Sequence, residues 1–193
     1  MRTMNKLPLI IGIAGSMLLL ASCKKDKEDP VAPTPVNEEE LITSVYLRMW
    51  PTMGGDTAVF SFVDLDGDGG SAPVIVGDTL MPNTIYSSSI LLLNESEMPV
   101  DTISNEVAQE AEAHQFFFST TGGSLSWTAY SDADMNGDPI GLSATWNTAM
   151  SAGSGDLSVV LRHELDKSAV GVGGGDITNA GGETDIEVTI PYM

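Results

Sequence analysis

From position 41 onward, apolar and polar residues alternate with a period of two, which is typical of half-buried β-strands. The segments with this alternation are 41–50, 57–63, 85–93, 124–130, 157–165 and 184–190. Clusters of Gly, Pro, Asn and Asp separate these segments at short intervals. Many short strands with such spacing predict a mostly β fold, a single antiparallel β-sandwich with Greek-key connections.

One turn within this pattern indicates a more specific type of sandwich. Residues 80–86 read LMPNTIY, which resembles the tyrosine corner of fibronectin type III domains. Pro82 and Asn83 favour the turn, and the Tyr86 hydroxyl is expected to bond back to the loop backbone. This interpretation predicts an immunoglobulin-like or fibronectin-III-like sandwich, and the alternative is a generic Pro-Asn turn before a strand.

The segment 101–114 departs from the β pattern. It reads DTISNEVAQEAEAH, contains neither Gly nor Pro, and has Asp101 in a position to cap a helix. We therefore predict one short helix over 102–114. At 100° per residue, its inner stripe carries Glu110 and His114 beside apolar residues.

The N-terminus has the features of a lipoprotein export signal. Arg2 and Lys6 precede an apolar run that ends in Leu-Ala-Ser-Cys at Cys23, and this ending resembles the lipobox of bacterial lipoproteins. The resemblance implies that Cys23 is acylated and becomes the first residue of the mature protein. Residues 23–40 are charged and proline-containing, which predicts an extended tether. The predicted organisation is a signal peptide at 1–22, the lipidated Cys23 with its tether at 23–40, and a β-sandwich domain at 41–193.

Charge and cysteine content exclude several classes of protein. Eight Lys and Arg stand against 27 Asp and Glu, which gives a formal net charge of −19 over 193 residues. Such a chain repels polyanions and is therefore not expected to bind nucleic acid. A single Cys excludes a disulfide framework and a multi-cysteine zinc site. With a lipid on Cys23, the protein is expected in the cell envelope, anchored to the outer membrane on its periplasmic or surface face.

Two acidic loops match the opening of a calcium-binding loop, in which oxygen ligands alternate and Gly follows the third ligand. The candidate ligands are Asp64, Asp66 and Asp68 in the first loop, and Asp132, Asp134 and Asn136 in the second. The twelfth positions are Ile75 and Ser143 instead of a bidentate Glu, so neither loop is an EF-hand. The loops predict either weak calcium sites or Asp-rich tight turns.

The two histidines of the chain are candidate ligands of a transition metal, with zinc as the first choice. Glu110 and His114 are one helical turn apart, and alternation places His163 on the inner face of its strand. The candidate ligand set is His114 and His163 with Glu110, Glu164 or Glu183. Haem held between the two histidines is the second candidate ligand. The structural alternative is that each histidine lies at an edge of the core and is satisfied by a backbone carbonyl.

The last predicted strand has an acidic face and an apolar face. Alternation places Glu183, Asp185 and Glu187 outward, and the intervening apolar residues inward. We interpret the acidic face as solvated, with Arg162 as its partner on the neighbouring strand.

Several stretches between 41 and 190 resemble those of a known group of proteins. They are FSFVDLDGDGG, LMPNTIY, EAEAHQFFF, LRHE and NAGGETDIEV. Together with the lipobox, they resemble small Gram-negative envelope lipoproteins that are often labelled "type 1 periplasmic binding fold superfamily". That label implies two lobes of alternating strands and helices, whereas the strand pattern of this chain favours a sandwich.

These observations lead to two hypotheses about function. The first is a non-enzymatic envelope lipoprotein that captures zinc for a partner transporter, such as a TonB-dependent receptor. The second is a structural or adhesive surface lipoprotein that calcium stabilises through the Asp-rich loops. The sequence contains neither a nucleophile elbow nor the spacing of a Ser-His-Asp triad, and we expect no enzymatic activity.

Overall fold

The computed structural model describes residues 41–67 and 70–193. The predicted signal peptide, the lipidated Cys23 and the tether lie outside these residues, as does Asp68, one of the candidate calcium ligands. Within the described part of the chain, no helix combines the length and the apolar character that a membrane span requires.

The described residues form nine strands, one α-helix and two short 3-10 helices. The strands are β1 (Ser44–Pro51), β2 (Ala58–Val63), β3 (Val74–Val76), β4 (Ile85–Leu93), β5 (His114–Thr120), β6 (Leu125–Tyr130), β7 (Ser143–Thr148), β8 (Gly155–His163) and β9 (Glu183–Tyr192). The helix α1 (Ile103–Gln109) lies between β4 and β5, and the 3-10 helices are Val172–Gly174 and Ile177–Asn179.

The strands are arranged in two antiparallel sheets. One sheet has six strands in the order β3-β2-β1-β4-β7-β6, and the other has three in the order β5-β8-β9. Alternate residues are buried, such as Val45 and Leu47 on β1 and Val159 and Leu161 on β8, and one apolar cluster contains side chains of both sheets. The core therefore lies between the sheets. The prediction of a mostly β, antiparallel sandwich with one short helix is confirmed, and its immunoglobulin-like type stays a prediction.

Six strands coincide with the predicted segments to within a few residues, and three were not predicted. The unpredicted strands are β3, β5 and β7. The three residues of β3 are all exposed, so they do not alternate. In β7 only Ala144 and Trp146 are buried, which leaves too few apolar positions for a recognisable pattern.

The predicted helix over 102–114 was wrong at its C-terminal end. The helix ends at Gln109, because Glu110 has φ −103° and ψ 36° and leaves the helical conformation. His114 is instead the first residue of β5, where it pairs with His163 of β8. The three consecutive phenylalanines of β5 favour a strand, and antiparallel pairing over seven residues outweighs the helical preference of the preceding segment. Thr102 occupies the N-cap position, one residue later than predicted, and its side chain makes no capping hydrogen bond.

The predicted hydrogen bond of the tyrosine corner is confirmed. Tyr86 is buried at 1% exposure, and its hydroxyl accepts a hydrogen bond of 2.8 Å from the backbone N–H of Met81. Asn83 adopts φ 51° in the turn, a conformation that Asn tolerates better than most residues. The bond thus fixes the loop that leads into β4.

We expect Tyr86→Phe to lower the free energy of unfolding by about 1–2 kcal/mol, because the Met81 N–H loses its acceptor in a partly buried position. The matched control is Tyr46→Phe, since the Tyr46 hydroxyl donates to Glu95 over a long distance of 3.5 Å. Urea denaturation of both variants measures the difference. Equal losses of stability in the two variants would contradict a stabilising role for the corner.

Candidate metal centre

The pairing of β5 with β8 brings the two histidines together. His114 and His163 are directly opposed in the antiparallel register. Their rings are stacked, with centroids 4.4 Å apart and planes inclined by 11°. The residues are 1% and 7% exposed, so both rings lie at the inner face of the sheet. The structure therefore brings these two sequence-predicted residues into one place.

A β-bulge in β9 changes the direction of one acidic residue. Leu161 pairs with Ile186, but the next residue, Arg162, pairs with Thr184. Asp185 is therefore the extra residue of the bulged strand. The prediction that Asp185 faces outward was wrong, because simple alternation does not hold across a bulge, and its side chain is only 3% exposed.

The Asp185 carboxylate lies beside both histidine rings. Its Oδ2 is 3.7 Å from Nε2 of His114, and its Oδ1 is 3.8 Å from Nδ1 of His163. Both distances are longer than a hydrogen bond of about 2.7–3.2 Å. They are closer to the separation of two ligand atoms around a tetrahedral zinc ion, which is about 3.3 Å when the bonds to zinc are about 2.0 Å. One carboxylate thus lies beside a nitrogen of each histidine, with a different oxygen facing each ring.

The tautomer of His114 follows from its hydrogen bond. Its Nδ1 lies 3.0 Å from the backbone carbonyl oxygen of Glu110, and a carbonyl only accepts, so Nδ1–H is the donor. Nε2 then has the lone pair on the side of Asp185. Burial is the main cause that lowers the pKa of His114, and it outweighs the opposing effect of the bond to the Glu110 carbonyl. The ring is therefore neutral at neutral pH, which is the form that binds metals.

Glu110, in the turn that follows α1, lies near the same two histidines. One carboxylate oxygen of Glu110 and one nitrogen of each histidine all lie within 4.8 Å of one another. Glu164 and Glu183 are exposed and do not belong to this group, although Glu183 pairs with His163 in the register of β8 and β9. Of the three predicted carboxylate partners, the structure thus brings Glu110 to the histidines.

The stacking of the two histidine rings limits how a metal ion or a haem could bind. Because the in-plane lone pairs of parallel rings do not meet, at least one ring must rotate before both can bind a single ion. A haem between His114 and His163 does not fit this arrangement, because the rings would have to lie on opposite faces of the porphyrin. A metal ion thus requires the rotation of a ring, whereas haem would require the two rings to separate.

In the second acidic loop, Asp134 forms an ion pair with a lysine side chain. Lys167 Nζ lies 2.9 Å from Oδ2 of Asp134, and Oδ1 of Asp134 accepts hydrogen bonds from the backbone of Asn136 and Asp138. The two carboxylate oxygens of Asp132 accept backbone N–H groups at 2.8 and 2.9 Å. These contacts favour the turn interpretation of this loop.

The first acidic loop shows turn hydrogen bonds as well. Oδ1 of Asp64 accepts the N–H of Gly67 at 3.0 Å, and Oδ2 of Asp66 accepts the N–H of Ser71 at 2.9 Å. Backbone N–H bonds of this kind are common in Asp-rich turns. Calcium binding at this loop stays a prediction.

Comparisons of the chain with known protein families, with curated proteins and with solved structures find no match. Sequence reasoning found His114, His163 and Glu110 and missed Asp185, because no residue type in this part of β9 marks the bulge.

Proposed function

We propose that this protein is a non-enzymatic, lipid-anchored envelope lipoprotein that binds a transition-metal ion, zinc first, and delivers it to a partner transporter. The ligands would be His114, His163, Asp185 and Glu110. The observation that carries the proposal is the buried pair of opposed histidines with one carboxylate within 3.8 Å of both rings.

The surroundings of His114 support this proposal. In metal sites, a ligating histidine commonly donates its other ring N–H to a backbone carbonyl or a carboxylate, which fixes the tautomer and the ring orientation. His114 makes such a bond to the carbonyl of Glu110, and its Nε2 lies 3.7 Å from the Asp185 carboxylate. A divalent cation would also interact strongly with the Asp185 carboxylate at this buried position.

The number of ligands and the net charge support binding rather than catalysis. Two nitrogens and two carboxylates are enough to close a tetrahedral zinc site, whereas a catalytic zinc keeps a position open for water. The net charge of −19 favours the accumulation of cations near the protein. Anchoring through Cys23 would keep the bound ion at the membrane, where a transporter can receive it.

We expect the full chain, solubilised in detergent, to bind Zn²⁺ in calorimetric titrations. The double variant His114→Ala/His163→Ala is expected to lose more than about 100-fold in affinity, because two of the four ligands are removed. Far-UV circular dichroism checks that the variant keeps its β structure.

Equal binding of Zn²⁺ by the native chain and the double variant would show that the histidines are structural. A parallel titration with Ca²⁺ tests the second hypothesis. A rise in melting temperature with Ca²⁺ but not with Zn²⁺ would instead support a structural or adhesive lipoprotein.

A further inference from the structure

The proposed ligands differ sharply in their exposure to solvent. His114, His163 and the Asp185 side chain are 1%, 7% and 3% exposed, whereas Glu110 is exposed. Three donors thus lie beneath the surface, and one lies on it. An ion held by all four would meet solvent, and any incoming molecule, on the side of Glu110.

The backbone of Glu110 is held in place although its side chain is exposed. Its N–H donates to the carbonyl of Glu106 at 2.8 Å, and its own carbonyl accepts from Ala113 N–H at 2.9 Å and from the His114 ring at 3.0 Å. The next residue, Ala111, is buried. The carboxylate can therefore change rotamer without any change in the fold around it.

We infer that Glu110 is the exchangeable ligand of the site, through which the ion enters and leaves. The inference rests on the proposed function. Release is a ligand substitution: the bond between the ion and the Glu110 carboxylate breaks, and a bond forms to an imidazole or carboxylate donor of the receiving partner. The oxidation state of the ion does not change, and the three buried ligands hold it until the new bond exists.

The test measures how fast bound zinc passes from the full chain to a chromophoric chelator in a stopped-flow experiment. In Glu110→Gln one ligand position is already open to the chelator, and we expect release about tenfold faster than from the native chain. The matched control is Glu112→Gln, which removes the same charge from an exposed residue of the same turn. The control is expected to release zinc within about twofold of the native rate, as is usual for surface changes that touch no ligand.

The outcomes separate this inference from the proposed function. If the native chain binds zinc no more tightly than the double histidine variant, the proposed function itself is wrong. If zinc binds but Glu110→Gln and Glu112→Gln release it at the same rate, only the role of Glu110 is wrong. If Glu110→Gln fails to fold, Glu110→Asp, which shortens the side chain, is tested in its place. Release of zinc from Glu110→Asp at the native rate would also overturn the inference.

Discussion

Replacement of Lys167 by Met is expected to lower the free energy of unfolding by about 3–5 kcal/mol, because it leaves a buried carboxylate without its cation. Lys167 is 8% exposed, and the side chain of Asp134 is 0% exposed. Besides the ion pair of 2.9 Å, Nζ donates to the carbonyls of Ala111 at 2.5 Å and Pro139 at 3.0 Å. The Lys167 ammonium group thus connects three segments that are distant in sequence: the turn after α1, the loop between β6 and β7, and its own loop between β8 and β9.

Two further variants show whether the ion pair causes this loss. Arg48→Met removes a cation from an exposed position of β1 and is expected to change stability by less than about 0.5 kcal/mol. The double variant Lys167→Met/Asp134→Asn removes both charges and should recover part of the loss. Urea denaturation at pH 7 measures all three. A similar effect of Lys167→Met and Arg48→Met would mean that the buried pair does not stabilise the fold.

The same pair predicts how stability depends on pH. Burial by itself raises the pKa of Asp134, but the bond to Lys167 and the backbone N–H groups of Asp138 and Asn136 outweigh it and hold this pKa below its usual range. The pKa of an Asp carboxyl in an unfolded chain is about 3.9. The contribution is therefore complete above that pH and is lost as the pH falls through the lower pKa of the folded state. The difference between the native chain and Lys167→Met should shrink from pH 7 to pH 3.

The strands that the sequence predicts well are those in which one face is buried along the whole length. In β4, for example, buried and partly buried residues alternate from Tyr86 to Leu93, and the observed strand has the predicted limits of 85–93. The exposed edge strand β3 carries no such alternation, because its residues pack against few neighbours. Periodicity in the sequence records burial, so strands with little burial are not recognised.

The candidate site shows a second feature that could not be predicted from the sequence, namely which residues meet. Both histidines were expected on inward faces, and both are buried, but His114 reaches that face from β5 rather than from a helix. Their meeting depends on the register of β5 with β8, which joins positions 49 residues apart and is set by tertiary packing. The bulge at Asp185 likewise arises from the pairing of β8 with β9. Residue types identified the donors, and only the register shows which of them meet.

Asp185→Asn is expected to weaken zinc binding about 100-fold, or about 2.7 kcal/mol, if the Asp185 carboxylate binds the ion. Asn keeps the size of the side chain but removes the negative charge that stabilises a bound cation. The control is Glu187→Gln, which removes the same charge from an exposed residue of β9 and should leave the affinity nearly unchanged.

A structural role for Asp185 would give a different result, and two measurements on the same samples distinguish the roles. A structural residue would change the melting temperature without added zinc and leave the rise caused by zinc intact. A ligand would lose that rise, because the stabilisation by a bound ion depends on its affinity for the folded state. Native zinc affinity in Asp185→Asn would remove Asp185 from the ligand set and leave the group of Glu110, His114 and His163.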